Sequence, residues 1–295
     1  MKFVDFVNDN SLGKIVFDEE FKNLTTIGLG GKIRVLFYPL SIEKLCFAFR
    51  YIKENNLKYF VIGNGSNTLA LDNTYDGIVI SLKELKKSFI AKDNILTISA
   101  NYPTIRLAYE LSELNLGDLS FLGGIPGTIG GAIYNNSGAY NDSIKNHLID
   151  VTYIDTSGNL VTLDNSKLML GYRMSVFHKI EGIIVSARFC VKSVDTKAIL
   201  LKRLNQRRKS QPLNEKSMGS IFKNSPIIPS YRIIDALNMR GFKINGIEVS
   251  NKHSNFIINA NEGNSKDVLK IIEIIQKRAK LEFGINLEYE ITLVN

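Results

Sequence analysis

The segment from residue 122 to residue 140, LGGIPGTIGGAIYNNSGAY, constrains the fold more than any other part of the chain. It holds six of the 22 glycines in 295 residues and carries no charged side chain. A flexible linker would be polar and would not carry these Ile and Tyr residues. Glycine lets the main chain approach a neighbour closely and adopt backbone angles that other residues resist. The segment therefore predicts bare backbone packed against something large and flat.

Two further glycine clusters precede this segment, TTIGLGG (25–31) and GNGSN (63–67). None of the three is a GxGxxG that opens a helix after a strand, and none carries the GK[ST] of a P-loop, so both of those nucleotide sites are poor interpretations. Taken singly, each cluster is more often an ordinary turn. Together they predict several loops that donate backbone N–H groups to one phosphate-bearing ligand.

The formal net charge of +8 admits two kinds of partner, a nucleic acid or a small polyanion such as a nucleotide. The basic residues are spread along the chain, with one local cluster on a predicted helix at Arg203, Arg207, Arg208 and Lys209. A solvated helix face is the simplest interpretation of that cluster. Since no RNA- or DNA-binding signature accompanies it, we expect no nucleic-acid partner.

The compartment is predicted from what the sequence lacks. No apolar run approaches the roughly 18–20 residues of a membrane span, and the N-terminal residues have no hydrophobic signal core. Cys46 and Cys190 stand alone in apolar, helix-like and strand-like settings, which favours buried free thiols over a disulfide. We therefore expect a cytoplasmic protein.

The order of periodic segments predicts helices and strands in an α/β or α+β arrangement. Ser41 can cap the first amphipathic helix, and Pro103 can open a second that Gly117 closes. Predicted helices cover 42–55, 104–115, 196–210 and 267–283, and predicted strands cover 58–62, 77–82, 94–100, 148–155, 160–163, 182–194 and 285–294. The boundaries drawn near 85 and 200 give three regions, 1–85, 86–200 and 201–295.

The residues present do not favour two common kinds of site, a metal site and a serine-hydrolase site. The three histidines, His147, His178 and His253, have no metal-binding spacing and there is no CxxC, so we expect no metal. The GxSxG of a serine hydrolase is also missing.

The motifs TTIGLGG, GNGSN, GGIPGTIGGAIYNNSGAY, GYRMSVF, MGSIFKNS and LEYEI follow one another along the chain. In this order they resemble the UDP-N-acetylenolpyruvoylglucosamine reductases, flavoenzymes of peptidoglycan synthesis, from about residue 21 to the C-terminus. The resemblance implies an α+β fold, with two N-terminal subdomains that bind FAD in the manner of vanillyl-alcohol oxidase (the PCMH type) and a C-terminal substrate-binding domain. The implied FAD-contacting residues are Gly63, Asn64, Gly65, Ser66, Asn67, Gly123, Gly124, Ile125, Pro126, Gly127, Thr128, Gly130, Gly131, Asn135 and Gly138. Because segment 122–140 has no His or Cys to tether a flavin, we expect FAD to be bound non-covalently.

The activity that this resemblance implies is reduction of UDP-N-acetylglucosamine enolpyruvate to UDP-N-acetylmuramate, with NADPH as the hydride donor. Arg173 corresponds to the arginine that stabilises the substrate carboxylate as charge develops, and Ser220 to the proton donor. Glu290 corresponds to a glutamate that shares the carboxylate as a neutral acid, so we expect its pKa to be raised. Without the resemblance, each residue has a structural explanation: a surface ion pair for Arg173, a cap for Ser220 and a strand-end charge for Glu290.

Three substrate-binding residues are also implied by the resemblance. Asn224 matches a substrate-contacting asparagine, and His253 aligns with a polar residue at a variable position. Ser210 replaces the usual lysine before Pro212, so Lys209 is the predicted cation for the UDP pyrophosphate. The chain is similar to the shorter type of the family, which lacks an inserted tyrosine loop.

Two rival functions stay open at the level of sequence. The first is another flavin oxidoreductase of the same cofactor-binding superfamily, which would often tether its flavin to His or Cys. The second is a basic nucleic-acid-binding protein without enzymatic activity, and only the net charge favours it.

Overall fold

The computed structural model describes residues 2–117, 119–225 and 227–295. The described helices are α1 (Lys2–Asp9), α2 (Phe21–Leu24), α3 (Ile42–Glu54), α4 (Thr104–Glu113), α5 (Ile129–Tyr134), α6 (Lys197–Ser210), α7 (Ser230–Ala236) and α8 (Ser265–Phe283). The described strands are β1 (Gly13–Val16), β2 (Glu19–Glu20), β3 (Lys32–Pro39), β4 (Tyr59–Ile62), β5 (Thr68–Ala70), β6 (Tyr75–Ser81), β7 (Phe89–Lys92), β8 (Ile95–Ser99), β9 (Gly138–Ala139), β10 (Asp142–Ser143), β11 (Leu148–Ile154), β12 (Leu160–Asp164), β13 (Ile183–Cys190), β14 (Ser217–Ser220), β15 (Lys243–Ile244), β16 (Ile247–Val249), β17 (Phe256–Asn259) and β18 (Thr292–Val294).

The chain divides into two units that are discontinuous in sequence. The first comprises the N-terminal residues to Phe17, with Val35–Gly63 and Gly77–Asn205, and the second comprises Asp18–Arg34, Asn64–Asp76 and Gln206–Asn295. The second unit thus contains two early segments that the predicted linear boundaries near 85 and 200 would assign elsewhere. That three-region division stays a prediction.

The first unit contains strands of two sheets. In the first sheet, β1 pairs with β3 and β4 pairs with β6. The second sheet has the order β12-β11-β13-β8-β7, and most side chains of its central strand β13 are buried. Helix α3 begins at Ser41, whose side chain accepts a hydrogen bond from the Lys44 N–H as predicted. Leu45, Phe49 and Ile52 on its inner face are buried in the core of this unit.

The second unit has its own core and its own antiparallel sheet, with the order β14-β17-β16-β15. Strand β18 pairs in parallel with β5, so Leu293 lies opposite Leu69. The long helix α8 packs Val268, Ile271 and Ile275 into this core. Two separate cores are what a chain of this length favours over a single large one.

Helix α8 shows how local sequence sets the ends of an element. Asn264 caps its first turn by accepting from the Asp267 N–H, and Gly284 ends it with a left-handed φ of 70°. The predicted span of 267–283 is confirmed within two residues. Helix α4 is also confirmed, with Pro103 at its N-terminal boundary, but it ends at Glu113 and not at Gly117.

Two expectations about local structure are wrong. The predicted strand 285–294 is reduced to Thr292–Val294, since residues 288–290 join 221–223 only through an isolated bridge and its flanking hydrogen bonds. Cys46 and Cys190 are free thiols, but Cys46 is half-buried and Cys190 is exposed. Cys190 ends β13, where alternation turns its side chain away from the core that holds Phe189.

In the described part of the chain, no helix is both long and apolar enough to cross a membrane.

Candidate active site

The three glycine clusters make close contacts in both units. In the first unit, a Cβ at Gly63 would lie 2.7 Å from Oγ1 of Thr128. In the second unit, Gly65 has φ of +60° and a Cβ there would lie 2.1 Å from the carbonyl oxygen of Leu24. The Gly65 carbonyl also accepts from the Thr26 N–H at 3.2 Å. Glycine is required at Gly65 because the neighbouring backbone leaves no room for a side chain, whereas a side chain at Gly63 would have to displace the Thr128 hydroxyl.

Several glycines of segment 122–140 are explained by packing inside the first unit. A Cβ at Gly123 would lie 2.1 Å from Cδ1 of Leu200 on α6, and one at Gly138 would lie 2.4 Å from the Asp142 carbonyl oxygen. Gly130 faces Ala100 at 3.1 Å and donates its N–H to the Ala100 carbonyl at 2.8 Å. Close packing of protein on protein therefore accounts for these three glycines, and their predicted contact with a cofactor stays a prediction.

Gly131 is different, because its bare face is open. It is exposed at the start of α5, and a Cβ there would meet only the Thr128 Oγ1, at 3.6 Å. Pro126 nearby is exposed as well, and Gly127 has a φ of +147°. We call this stretch the 126–131 surface. Its exposed points are Pro126 and Gly131, whereas Thr128 and Ile129 are buried. The bare backbone at Gly131 is the feature that the sequence predicted for ligand contact.

Arg173 lies in a tight turn of the first unit. This turn contacts the C-terminal end of the glycine-rich segment, residues 122–140. Gly171 and Met174 bridge across the turn, and Arg173 itself has φ of +53°. Its guanidinium donates to the Gly138 carbonyl at 3.3 Å and lies 5.0 Å from the centre of the Tyr172 ring. The half-buried arginine is thereby tied to the segment predicted to bind the cofactor.

The backbone segments that carry Ser220 and Glu290 pair in the second unit, although 70 positions separate the two residues in the sequence. The Glu290 N–H donates to the carbonyl of Ile221 at 2.8 Å, so Glu290 lies opposite the residue that follows Ser220. Gly219 has φ of +78°, within an irregular register between Ser217 and Ser220 that breaks the pairing with β17. A bulge of this kind re-aims the side chain that follows it. Arg173 belongs to the other unit, and its place in the same site stays a prediction.

The three predicted substrate-binding residues also lie in the second unit. The Asn224 side chain is exposed, and its Oδ1 accepts from the Ser230 N–H at 3.1 Å, which supports the start of α7. His253 is partly buried, and its Nδ1 has no hydrogen-bond partner among the described residues. Burial, followed by the nearby charge of Arg240, lowers the pKa of His253, so the ring is neutral near pH 7. Lys209 is exposed on α6.

Two buried asparagines that the sequence did not single out support this region. Asn255 accepts from the Phe222 N–H at 3.0 Å and donates to the Phe222 carbonyl at 2.8 Å, which fixes the chain just after Ser220. Asn259 donates to the carbonyl of Ile27 at 3.1 Å and so joins β17 to the first glycine cluster. An asparagine inside an apolar strand pattern was the available signal, since buried amides need partners.

Comparison with known proteins accounts for the whole chain. Residues 33–164 match the FAD binding domain family, and residues 211–294 match the C-terminal domain of UDP-N-acetylenolpyruvoylglucosamine reductase. The reductase of Bacillus pumilus is 33% identical, over 96% of this chain and 95% of that protein. The reductase of Clostridium botulinum is 34% identical, over 100% of this chain and 96% of its own length.

This chain belongs to the UDP-N-acetylenolpyruvoylglucosamine reductase family.

Solved structures agree with this assignment. The UDP-N-acetylenolpyruvylglucosamine reductase of Thermus caldophilus superposes with a TM-score of 0.77 at 28% identity, over 96% of this chain and 99% of that one. A glucose dehydrogenase, Phl p 4.0202, shares only the fold, with a TM-score of 0.50 at 12% identity over 65% of this chain and 44% of its own. The reductase-family chain therefore has an α+β fold whose FAD-binding part is of the vanillyl-alcohol-oxidase type. Only residues 179–182 separate the turn at Val176–His178 from β13. Assignment to the shorter type without a tyrosine loop stays a prediction.

The 126–131 surface fits the FAD that a reductase of this family would hold. A flat ring system or a pyrophosphate needs backbone that it can approach closely, and an added side chain at Gly131 would project into open space and not into protein. Within the described residues, no three His, Cys, Asp or Glu side chains form a group that could hold a metal ion.

A matched pair of glycine substitutions separates ligand contact from protein packing. We expect Gly131→Ala to leave the stability of the flavin-free protein unchanged or slightly raised, since alanine is the better helix former by up to ~1 kcal/mol, while FAD affinity falls. Gly123→Ala is expected to lower stability, because its Cβ would overlap Leu200. Thermal unfolding of flavin-free protein and titration with FAD, followed by flavin fluorescence, measure the two effects. Unchanged FAD affinity in Gly131→Ala would show that the 126–131 surface does not contact the cofactor.

Proposed function

We propose that this chain reduces the enolpyruvyl group of UDP-N-acetylglucosamine enolpyruvate to give UDP-N-acetylmuramate, a step of peptidoglycan synthesis. Bound FAD would supply the redox chemistry that the protein's own side chains lack, with NADPH as the hydride donor. Residues of the 126–131 surface and of the 63–67 loop would hold the cofactor. The protein's side chains then have three tasks: to bind the substrate carboxylate, to stabilise developing charge and to deliver a proton.

Proton delivery is assigned to Ser220. Adding hydride to the terminal vinyl carbon leaves negative charge on the adjacent carbon, which must then gain a proton. A serine hydroxyl is a weak acid near neutral pH, but a carbanion-like centre is a strong base, so the transfer is favourable. The break in strand pairing at Gly219, which has a left-handed φ, and the half-buried setting of Ser220 suit a donor that must meet a substrate.

Charge stabilisation is assigned to Arg173 and Glu290. A planar guanidinium can pair with both oxygens of a carboxylate, and it holds them better as their charge increases in the transition state. Glu290 would share the same carboxylate as a neutral acid, because two ionised carboxylates would repel each other. Asn224, His253 and Lys209 would contact the sugar nucleotide.

The observation that carries this proposal is the pairing of 221–223 with 288–290 in the second unit. It brings the proposed proton donor next to the proposed acid, from two distant parts of the sequence. The structural alternatives, a cap for Ser220 and a strand-end charge for Glu290, do not require these two segments to pair. We place the enzyme in the cytoplasm, where sugar nucleotides and NADPH are available.

The attachment and identity of the cofactor test the proposal first. We expect purified protein to be yellow and acid precipitation to release FAD into the supernatant, since segment 122–140 has no His or Cys to form a tether. The holoenzyme should then consume NADPH beyond one equivalent per flavin only when the enolpyruvyl sugar nucleotide is added. Flavin that stays in the pellet, with turnover of another alcohol or sugar, would support a different flavin oxidoreductase. A colourless protein with salt-sensitive DNA affinity would support the nucleic-acid alternative.

A further inference from the structure

The turn that carries Arg173 is attached to the end of the glycine-rich segment at three points. Asn136 Nδ2 donates to the Gly171 carbonyl at 2.6 Å, and the Arg173 guanidinium donates to the Gly138 carbonyl at 3.3 Å. The Ser175 hydroxyl donates to the Tyr134 carbonyl at 2.7 Å. Residues 134–138 therefore form a backbone strip on which the turn rests, entirely within the first unit.

Asn136 is the residue of the strip whose side chain makes a described hydrogen bond to the turn. It is 5% exposed, and its Oδ1 accepts from the Lys145 N–H at 3.0 Å while its Nδ2 binds Gly171. Its φ of +41° is a conformation that asparagine tolerates better than most residues. Both polar atoms of the amide are thus used inside the protein.

The turn needs such support because its backbone is strained. Met169 and Arg173 have φ of +49° and +53°, which are left-handed angles at residues that are not glycine. Such angles persist only where the surroundings impose them. The Gly171 carbonyl lies between the two, so a hydrogen bond to it opposes relaxation of the turn on either side.

We propose that Asn136 is a positioning residue, which fixes the Arg173 guanidinium by holding the turn 169–175. The inference rests on the proposed function, in which Arg173 binds the substrate carboxylate. It also explains why an amide, and not merely a small residue, follows Asn135 in the glycine-rich segment. Asn136 contacts the turn and not the substrate.

Asn136→Asp is the sharpest test, because aspartate keeps the acceptor for Lys145 and tolerates the positive φ. It loses the donor to Gly171 and places an oxygen against that carbonyl. We expect kcat with the enolpyruvyl sugar nucleotide to fall on the order of 10- to 100-fold, the usual effect of a small misplacement of a reacting group. The rate of the absorbance change on mixing the holoenzyme with NADPH alone should be unchanged. Asn136→Gly, which also tolerates the positive φ, provides a second variant if the aspartate protein is unstable.

A double-mutant cycle separates positioning from general stability. If Asn136 acts through Arg173, then Asn136→Asp should have little further effect on kcat in an Arg173→Lys background. The matched control is Asp150→Asn, the reverse exchange at another buried site of the same unit, which weakens the pairing of Asp150 on β11 with Arg188 on β13. This control is expected to lower the melting temperature and to leave kcat within about twofold, as for a substitution outside the site.

Each result decides something different. Normal turnover in Asn136→Asp and Asn136→Gly, or a loss that adds fully to that of Arg173→Lys, would overturn the inference while leaving the proposed function in place. Wild-type holoenzyme that fails to reduce the enolpyruvyl sugar nucleotide would overturn the proposed function, and the inference with it.

Discussion

Replacement of Ser220 by alanine is expected to slow the substrate-dependent half of the reaction by ~10²–10⁴-fold, the usual effect of losing a general acid. The NADPH-dependent half needs no proton from Ser220 and should proceed at nearly the wild-type rate. Stopped-flow absorbance of the holoenzyme, recorded first with NADPH and then with the enolpyruvyl sugar nucleotide, measures the halves separately. The position of Ser220 after Gly219, beside the segment that carries Glu290, is the structural reason for this expectation.

Two further variants make the Ser220 result specific. Ser220→Cys should recover part of the lost rate, because a thiol can donate a proton from nearly the same position. Ser217→Ala is a matched control in the same strand, since Ser217 contributes its backbone carbonyl to Thr26 and that bond survives the change. Equal slowing of both halves in Ser220→Ala, or no slowing of either, would identify Ser220 as a structural turn residue.

Replacement of Arg173 by lysine is expected to reduce kcat far more than it raises KM. Lysine keeps the positive charge but cannot bind both carboxylate oxygens in a planar pair, so stabilisation of the transition state is lost more than binding. Lysine would also fit the turn less well, because the Arg173 guanidinium donates a hydrogen bond to the Gly138 carbonyl and lies over the Tyr172 ring. Steady-state kinetics over a range of enolpyruvyl sugar nucleotide concentrations separate kcat from KM.

The control for this substitution is Arg188→Lys, in the same unit. Arg188 pairs with the buried Asp150 across two neighbouring strands, so its loss is expected to affect stability and not turnover. A higher KM with unchanged kcat in Arg173→Lys would assign Arg173 to simple binding. Stabilisation of the charge that develops on the substrate carboxylate would then have to be assigned to another residue.

Local sequence predicted the elements whose ends depend on local contacts. Ser41 and Pro103 mark the starts of α3 and α4, and Gly284 ends α8, because caps act on the adjacent turn only. The predicted strand 285–294 failed for the complementary reason. A strand needs a continuous partner along its length. Thr292–Val294 finds one in β5, whereas residues 288–290 make only an isolated bridge to 221–223.

The motifs, in their order along the chain, determined the family, and with it the α+β fold and the candidate residues. Sequence could not tell which glycines serve packing and which remain open. Gly123 and Gly131 look alike in the printed sequence, yet one lies under Leu200 and the other has an open face. That difference depends on what folds over each residue, which no local pattern encodes.

Only the tertiary structure decided which distant residues support the candidate site. It joined residues 221–223 to 288–290, gave Asn255 and Asn259 their carbonyl partners, and attached the Arg173 turn to Asn136. The sequence by itself determined residue chemistry and local conformation, because these depend on neighbours a few positions away. The contacts of the site join residues tens to hundreds of positions apart, and their partners are set by the pairing of strands and the burial of amides.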